Sequence, residues 1–230
     1  MAYFTDLNGN ITLAANQAAT ALDDGIVGFT GSTSGTTFTM ATDEPIGSVI
    51  LSCTTDNESL GMSALAGLNT VGNFVITSGK QSWFECRVKG LTVGDDEFGM
   101  FVGFAEEAKL SEDGIILDTD LLDDIDLIGF HRLAGDGDQF DTVYGTNGAS
   151  PTTLQADAIT TVADTYVKLG FYCDGTTITP FANGVALTTV TVATSNVPDG
   201  EEMAVYIIHA DKGGADEVSA VDWIRVAREY

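Results

Sequence analysis

An all-β, antiparallel β-sandwich is the fold this sequence predicts, and three observations predict it. From about Pro45 onward, short apolar or alternating runs follow one another with almost no helical period. Two connections are the dipeptides Asp174-Gly175 and Asn183-Gly184, which accept the positive φ angles of tight hairpin turns. The chain holds 26 Gly against 4 Pro, a composition of many turns rather than of a stiff linker. Its 230 residues are 44% hydrophobic, enough for one sandwich with a real core.

Residues 1–40 stand apart as an extended N-terminal arm, and residues 41–230 form the sandwich domain. The arm is rich in Ala, Thr, Ser, Asn and Gly, with one short strand expected around Gly25–Phe29. Small polar side chains bury little area against an ordering cost of about 1–2 kcal/mol per residue. The stretch Thr36-Thr37-Phe38-Thr39-Met40 is therefore expected to add as an edge strand through main-chain hydrogen bonds, with Thr36, Phe38 and Met40 as candidate partner-binding residues. Its acceptor is a neighbouring subunit or, alternatively, the chain's own sheet.

The domain's strands follow in order. Val49–Ser52 and Phe74–Thr77 are short apolar runs. Trp83 to Lys89 alternates, with Trp83, Glu85, Arg87 and Lys89 on one face and Phe84, Cys86 and Val88 on the other. Phe98–Ala105 is a strand whose glycines leave room for bulges or close approach. Glu106–Glu112 is the sole helix candidate, and it is short. Ile125–Leu133 and Gln139–Tyr144 come next. Tyr166–Tyr172, Thr176–Ala182 and Val185–Val192, joined by the two Gly turns, predict a meander. Met203–His209 and Val218–Val226 complete the set.

Charge narrows the function. With 34 acids against 9 Lys and Arg the net charge is −25, and the basic residues are scattered singly with none in the first 79 positions. A nucleic-acid partner is excluded on this count, since phosphates are repelled wherever cations are not gathered. No long apolar stretch or export signal is visible, so neither a membrane partner nor secretion is expected. Cys53, Cys86 and Cys173 occupy separate strands without metal-ligand spacing and read as buried free thiols of a chain folded in a reducing cytoplasm.

The run Tyr166-Val167-Lys168-Leu169-Gly170-Phe171-Tyr172, Asp174-Gly175-Thr176-Thr177-Ile178, Phe181 and Asn183-Gly184-Val185 resembles the hairpins of concanavalin A-like lectin and glucanase jelly rolls, and Val221-Asp222-Trp223-Ile224-Arg225-Val226 resembles their last strand. Within that superfold, residues 80–230 look most like jelly-roll structural proteins of tailed-phage virions. The resemblance implies a non-enzymatic bacteriophage capsid decoration (cement) protein, a homotrimer bound to the major capsid protein on the outer surface of the virion and made in the host cytoplasm. The alternative it implies is a lectin-like module binding glycans.

The residues offer three candidate sites. Glucanases of this fold carry Glu-x-Asp-x-Glu or Glu-x-Asp-x-x-Glu on one strand, where alternation puts the carboxylates on one face. The nearest match, Asp124-Ile125-Asp126-Leu127-Ile128-Gly129, lacks the third carboxylate, so these aspartates are expected to cap a strand entrance and no hydrolysis is expected. Asp136, Asp138 and Asp141 are the weak calcium candidates, oxygen ligands alternating in a loop without an EF-hand pattern. No catalytic residue, cofactor or resident metal is expected beyond that. His131 and His209 sit among apolar neighbours as structural residues. Trp83 and Trp223 are expected in the core or at a subunit contact; exposed, they would stack on sugar rings instead.

Overall fold

The computed structural model describes residues 2–6, 27–31, 36–40, 48–55, 57–64, 74–91, 98–107, 109, 114–191, 197–198, 200–213 and 217–229. Two antiparallel sheets face one another. Across the first run β14 (Val185–Ala186), β13 (Thr177–Ala182), β12 (Val167–Cys173), β7 (Ser82–Gly90), β17 (Glu217–Arg228), β4 (Val49–Cys53) and β3 (Thr36–Met40). The short β15 (Val190–Thr191) pairs with β13, and β1 (Ala2–Asp6) pairs with the second half of β17. The second sheet runs β11 (Thr152–Thr160), β10 (Gln139–Gly145), β9 (Leu127–Arg132), β8 (Phe98–Glu106), β16 (Glu202–Asp211), β5 (Ser59–Ala64) and β2 (Val27–Gly31), with β6 (Phe74–Val75) beside the start of β16. Among the described residues there is no α-helix, and one 3-10 turn, Ala134–Asp136, links β9 to β10. The all-β sandwich read from the sequence is the observed fold.

Aromatic rings pack within each sheet and, at Phe104–Phe171, across the two. Phe84 on β7 stacks on Phe171 of β12 at 5.4 Å between centroids, and Phe104 on β8 meets Phe171 edge-on at 5.1 Å and stacks on Phe74 of β6 at 5.1 Å. Such pairs add about 0.5–1.5 kcal/mol each beyond the area they bury. Cys53, Cys86 and Cys173 lie free in this core, and burial pushes the thiols of Cys53 and Cys173 up to about 12 and about 11.

The central strands of the second sheet are buried on both faces. Phe98, Met100, Val102 and Phe104 of β8 point into the core between the sheets. Phe101 and Ala105 point the other way, where Ile115, Ile116 and Ile125 of the segment 114–126 cover them in a second apolar layer with Leu127, Val143, Tyr206 and Ile208. Glycine makes the ladder possible at its middle. Gly103 and Gly129 are register partners, and a Cβ on Gly103 would stand 2.3 Å from the Ile128 carbonyl oxygen.

The two Gly turns differ. Asn183 and Gly184 both have positive φ, 51° and 79°, as a type I′ hairpin between β13 and β14 requires. At Asp174-Gly175 only Gly175 is positive, and Asp174 instead caps the turn by accepting the backbone N–H groups of Thr176 and Thr177. The expected return strand Val185–Val192 is split into β14 and β15. Glu106, where the short helix was expected to begin, is the last residue of β8, and Glu107 lies in a turn; most of the rest of that segment falls outside the described residues. Asp124 and Asp126 precede β9, as a strand entrance requires, and Asp126 Oδ1 accepts the Asn147 N–H.

Three strands have no counterpart in the sequence reading. β5 reads SLGMSA, without strong strand formers, and β11 reads TTLQADAIT, whose Thr and Ile residues flank a Leu-Gln-Ala-Asp-Ala stretch without the alternation that marks a half-buried strand. β1 lies within the arm. The arm's other described parts also pair within the chain: β2 with β5, and β3 with β4 in register Phe38↔Leu51. Phe38 is buried in the core between the sheets, so this anchor is used by the chain itself and not by a neighbouring subunit.

Candidate functional site

Alternation along β7 sends Ser82, Phe84, Cys86, Val88 and Gly90 into the core and leaves Trp83, Glu85, Arg87 and Lys89 on the outer face of the first sheet. Register sets their neighbours. Trp83 stands opposite Tyr172 of β12 and Ala227 of β17, and Glu85 stands opposite Gly170 and Arg225. Gly170 in turn stands opposite Phe181 of β13.

These rungs form an open groove of about 360 Å³ whose walls are Trp83, Phe181 and Arg225, with Glu85 and Gly170 between them. Gly170 makes the floor: a Cβ there would lie 2.7 Å from the Phe84 carbonyl oxygen and 3.2 Å from Glu85 Cγ. Trp83 is 37% exposed, and its ring leans on Tyr172 at 5.6 Å between centroids and 49° between planes. Trp223, only 8% exposed, lies under the Arg225 guanidinium at 4.1 Å. The Arg225 guanidinium stands 3.6 Å from a Glu85 oxygen, so the groove offers an acceptor and a donor side by side above an aromatic edge. Apolar walls with a few convergent polar groups are the usual make-up of a small-molecule site.

Four of the nine basic residues, scattered along the sequence, are gathered by the fold. Arg87, Lys89, Lys168 and Arg225 share this one outer face. The Arg87 guanidinium lies 4.0 Å from the centre of the Tyr166 ring and Lys89 Nζ 4.7 Å from it. Arg87 pairs with the buried Asp222, and Lys89 pairs with Asp164 at 2.6 Å.

The second sheet brings together a different set. His131 on β9 and Asp141 on β10 are direct cross-strand partners, and Asp136 comes from the 3-10 turn between them. Their ligating atoms lie within 4.8 Å of one another. Burial raises the Asp141 carboxyl, whereas the His131 imidazole beside Asp136 holds that carboxyl below its ordinary value. Asp138, named with Asp136 and Asp141 as a calcium candidate, lies outside the cluster; its carbonyl is bound by the N–H and hydroxyl of Thr161. His131 instead joins the two remaining aspartates. The second histidine, His209, is fully buried against Phe98, and desolvation lowers its pKa to about 4.

No protein-family model and no curated protein matches the sequence. Solved structures do. A glycoside hydrolase family 16 enzyme of a mixed-linkage glucan locus from Bacteroides ovatus aligns with a TM-score of 0.60 at 13% identity, over 94% of this chain and 99% of its own. The carbohydrate recognition domain of Emp46p in its potassium-bound form gives 0.56 at 8% identity, over 86% and 87%. A carbohydrate esterase from the Shiga toxin-encoding bacteriophage phi24B gives 0.54 at 16% identity, over 97% and 98%. At these identities the likeness shows the fold, the concanavalin A-like jelly roll of glycoside hydrolases and lectins.

Two expectations change on this finding. The chain was expected to be non-enzymatic, and that expectation does not stand: nearly the whole chain aligns, at 13% identity, with a glycoside hydrolase. Capsid decoration was the leading expectation, with glycan binding as its alternative. None of these three structures is described as a capsid protein, and all three are described by glycans or carbohydrates.

Proposed function

We propose that this chain is a carbohydrate-binding jelly roll that takes a glycan in the groove of the first sheet. The observation that carries the reading is Trp83, a large ring left exposed on a sheet face where Gly170 opens a trough beside it. A sugar ring presents an apolar C–H face and a rim of hydroxyls. The C–H face suits the flat faces of Trp83 and Phe181, whose π clouds are negative. The hydroxyls suit the paired acceptor and donor of Glu85 and Arg225. The glycan-active and glycan-binding descriptions of the structural neighbours support this reading. Binding to a soluble β-glucan panel, followed by titration calorimetry, tests it. Trp83→Ala is expected to weaken binding at least about tenfold, near 1.4 kcal/mol, with the fold intact by circular dichroism. Equal affinity in the variant would sink the groove assignment.

A second reading places the same sandwich on a virion. Likeness to a bacteriophage protein over almost the full chain favours it. There the major capsid protein and copies of this chain, as a homotrimer, are its partners, and the outer capsid surface is its location. Mass spectrometry of purified particles together with light scattering of the isolated protein tests this. A chain absent from particles and monomeric in solution would remove it.

A further inference from the structure

The geometry points to a divalent transition-metal site formed by His131, Asp136 and Asp141, on the opposite side of the molecule from the glycan groove and independent of it. All three ligands come from one hairpin at even spacing, His-x4-Asp-x4-Asp. The β9–β10 ladder sets His131 directly across from Asp141, and alternation turns both to the outer face of the second sheet. The 3-10 turn then swings Asp136 back over the pair.

Clustered carboxylates alone are common in a chain with 34 acids. What singles this cluster out is His131. Its side chain is 7% exposed, and Nδ1 is sealed from solvent without a hydrogen-bond partner. The atom it faces, Asp136 Oδ2, is 3.5 Å away, beyond ordinary hydrogen-bond length, and already accepts the Leu133 N–H at 3.0 Å. Asp141 Oδ1 accepts the Asp157 N–H at 2.8 Å. Each carboxylate is thus oriented by the backbone while retaining lone pairs for a cation. An imidazole nitrogen with two carboxylates selects Zn²⁺ or a neighbouring transition ion over Ca²⁺, which takes six to eight oxygens. With metal–ligand bonds of about 2.0–2.2 Å, ligand atoms on one zinc ion stand roughly 3.3–3.5 Å apart. The His131–Asp136 separation of 3.5 Å matches that span. Three protein ligands leave one or more positions for water.

The test is calorimetric titration of ZnCl2 into the chelator-stripped full chain, with Co²⁺ as a spectroscopic probe. One Zn²⁺ per chain is expected, with Co²⁺ giving visible absorption bands. Asp141→Asn keeps the acceptor for the Asp157 N–H and removes the charge, and it should weaken Zn²⁺ at least tenfold. His131→Gln should do the same and alter the Co²⁺ bands. Asp138→Asn should leave both unchanged, as should Trp83→Ala, which separates this site from the glycan groove. Zn²⁺ binding that is indifferent to Asp141→Asn, no binding at all, or Ca²⁺ binding tighter than Zn²⁺ at these residues overturns the assignment.

Discussion

On the first sheet the outward positions of β7 are Trp83, Glu85, Arg87 and Lys89, whereas on the second sheet those of β8 are Gly99, Phe101, Gly103 and Ala105. The same period of two produces both faces, and their chemistry decides their fate. Ring edges and charges tolerate water, so the first face stays open and holds a groove. Small and apolar residues do not, so the second face is covered by segment 114–126, which turns Ile115, Ile116 and Ile125 inward. That cover is held at its edges by polar contacts: Asp120 accepts the N–H groups of Ala134 and Gly135, and Lys212 Nζ donates to the Leu117 carbonyl at 2.8 Å. An exposed face of one sheet and a lined, covered face of the other teach that the outward residues of a strand, and not the fold, assign a sheet its role.

Removing a ring from each face gives the largest expected difference between the two sheets. Phe101→Ala, on the covered face and fully buried, is expected to cost about 3–5 kcal/mol in urea unfolding. Trp83→Ala on the open face is expected to cost about 1 kcal/mol or less. Equal losses would show that the open face is as tightly built as the covered one.

Acidification probes the covered sheet a second way, because His209 on β16 is neutral and desolvated, with its folded pKa lowered to about 4 from 6.5. Between those values the unfolded chain binds the proton and the folded chain does not, so stability falls as pH drops through the window. From pH 7.5 to pH 5 this one group accounts for about 2 kcal/mol. His209→Gln should flatten that part of the pH profile by a similar amount, and an unchanged slope would assign the acid sensitivity elsewhere. The smallest effect belongs to the open face. Lys89–Asp164 is an ion pair with the carboxylate 72% exposed. Asp164→Asn is therefore expected to change stability by less than about 0.5 kcal/mol, and by nothing measurable in 1 M salt. A larger loss would mean that the charges of this face brace the sheet.

Much of the first face was legible. Trp83, Glu85, Arg87 and Lys89 fall on one side by alternation alone, and Gly184 and Asn183 announce their hairpin. The groove was not, because it needs Gly170, Phe181 and Arg225, which are as much as 142 positions from Trp83 in the chain and meet it only through strand register. The exposure of Trp83 and the burial of Trp223 were equally out of reach, since both lie on outward positions and the Arg225 guanidinium lies over the second. His131 reads as structural because its neighbours in sequence are apolar; its partner across the β9–β10 ladder is Asp141, and the 3-10 turn adds Asp136.

The class of fold, most of the strands, the type I′ turn at Asn183-Gly184 and the burial of the three cysteines are readable from the residues alone. All of these rest on local signals: alternation, backbone permission at glycine, and side-chain polarity. Tertiary pairing is needed to see which segment covers the second sheet, that Phe38 is used within its own core, that four scattered cations share one face, and that His131 joins Asp136 and Asp141 while the Asp138 carbonyl turns to Thr161. Each of those depends on pairing between segments distant in the chain or on the path of a turn, and a side chain's period of two says which face it takes but not what stands opposite it.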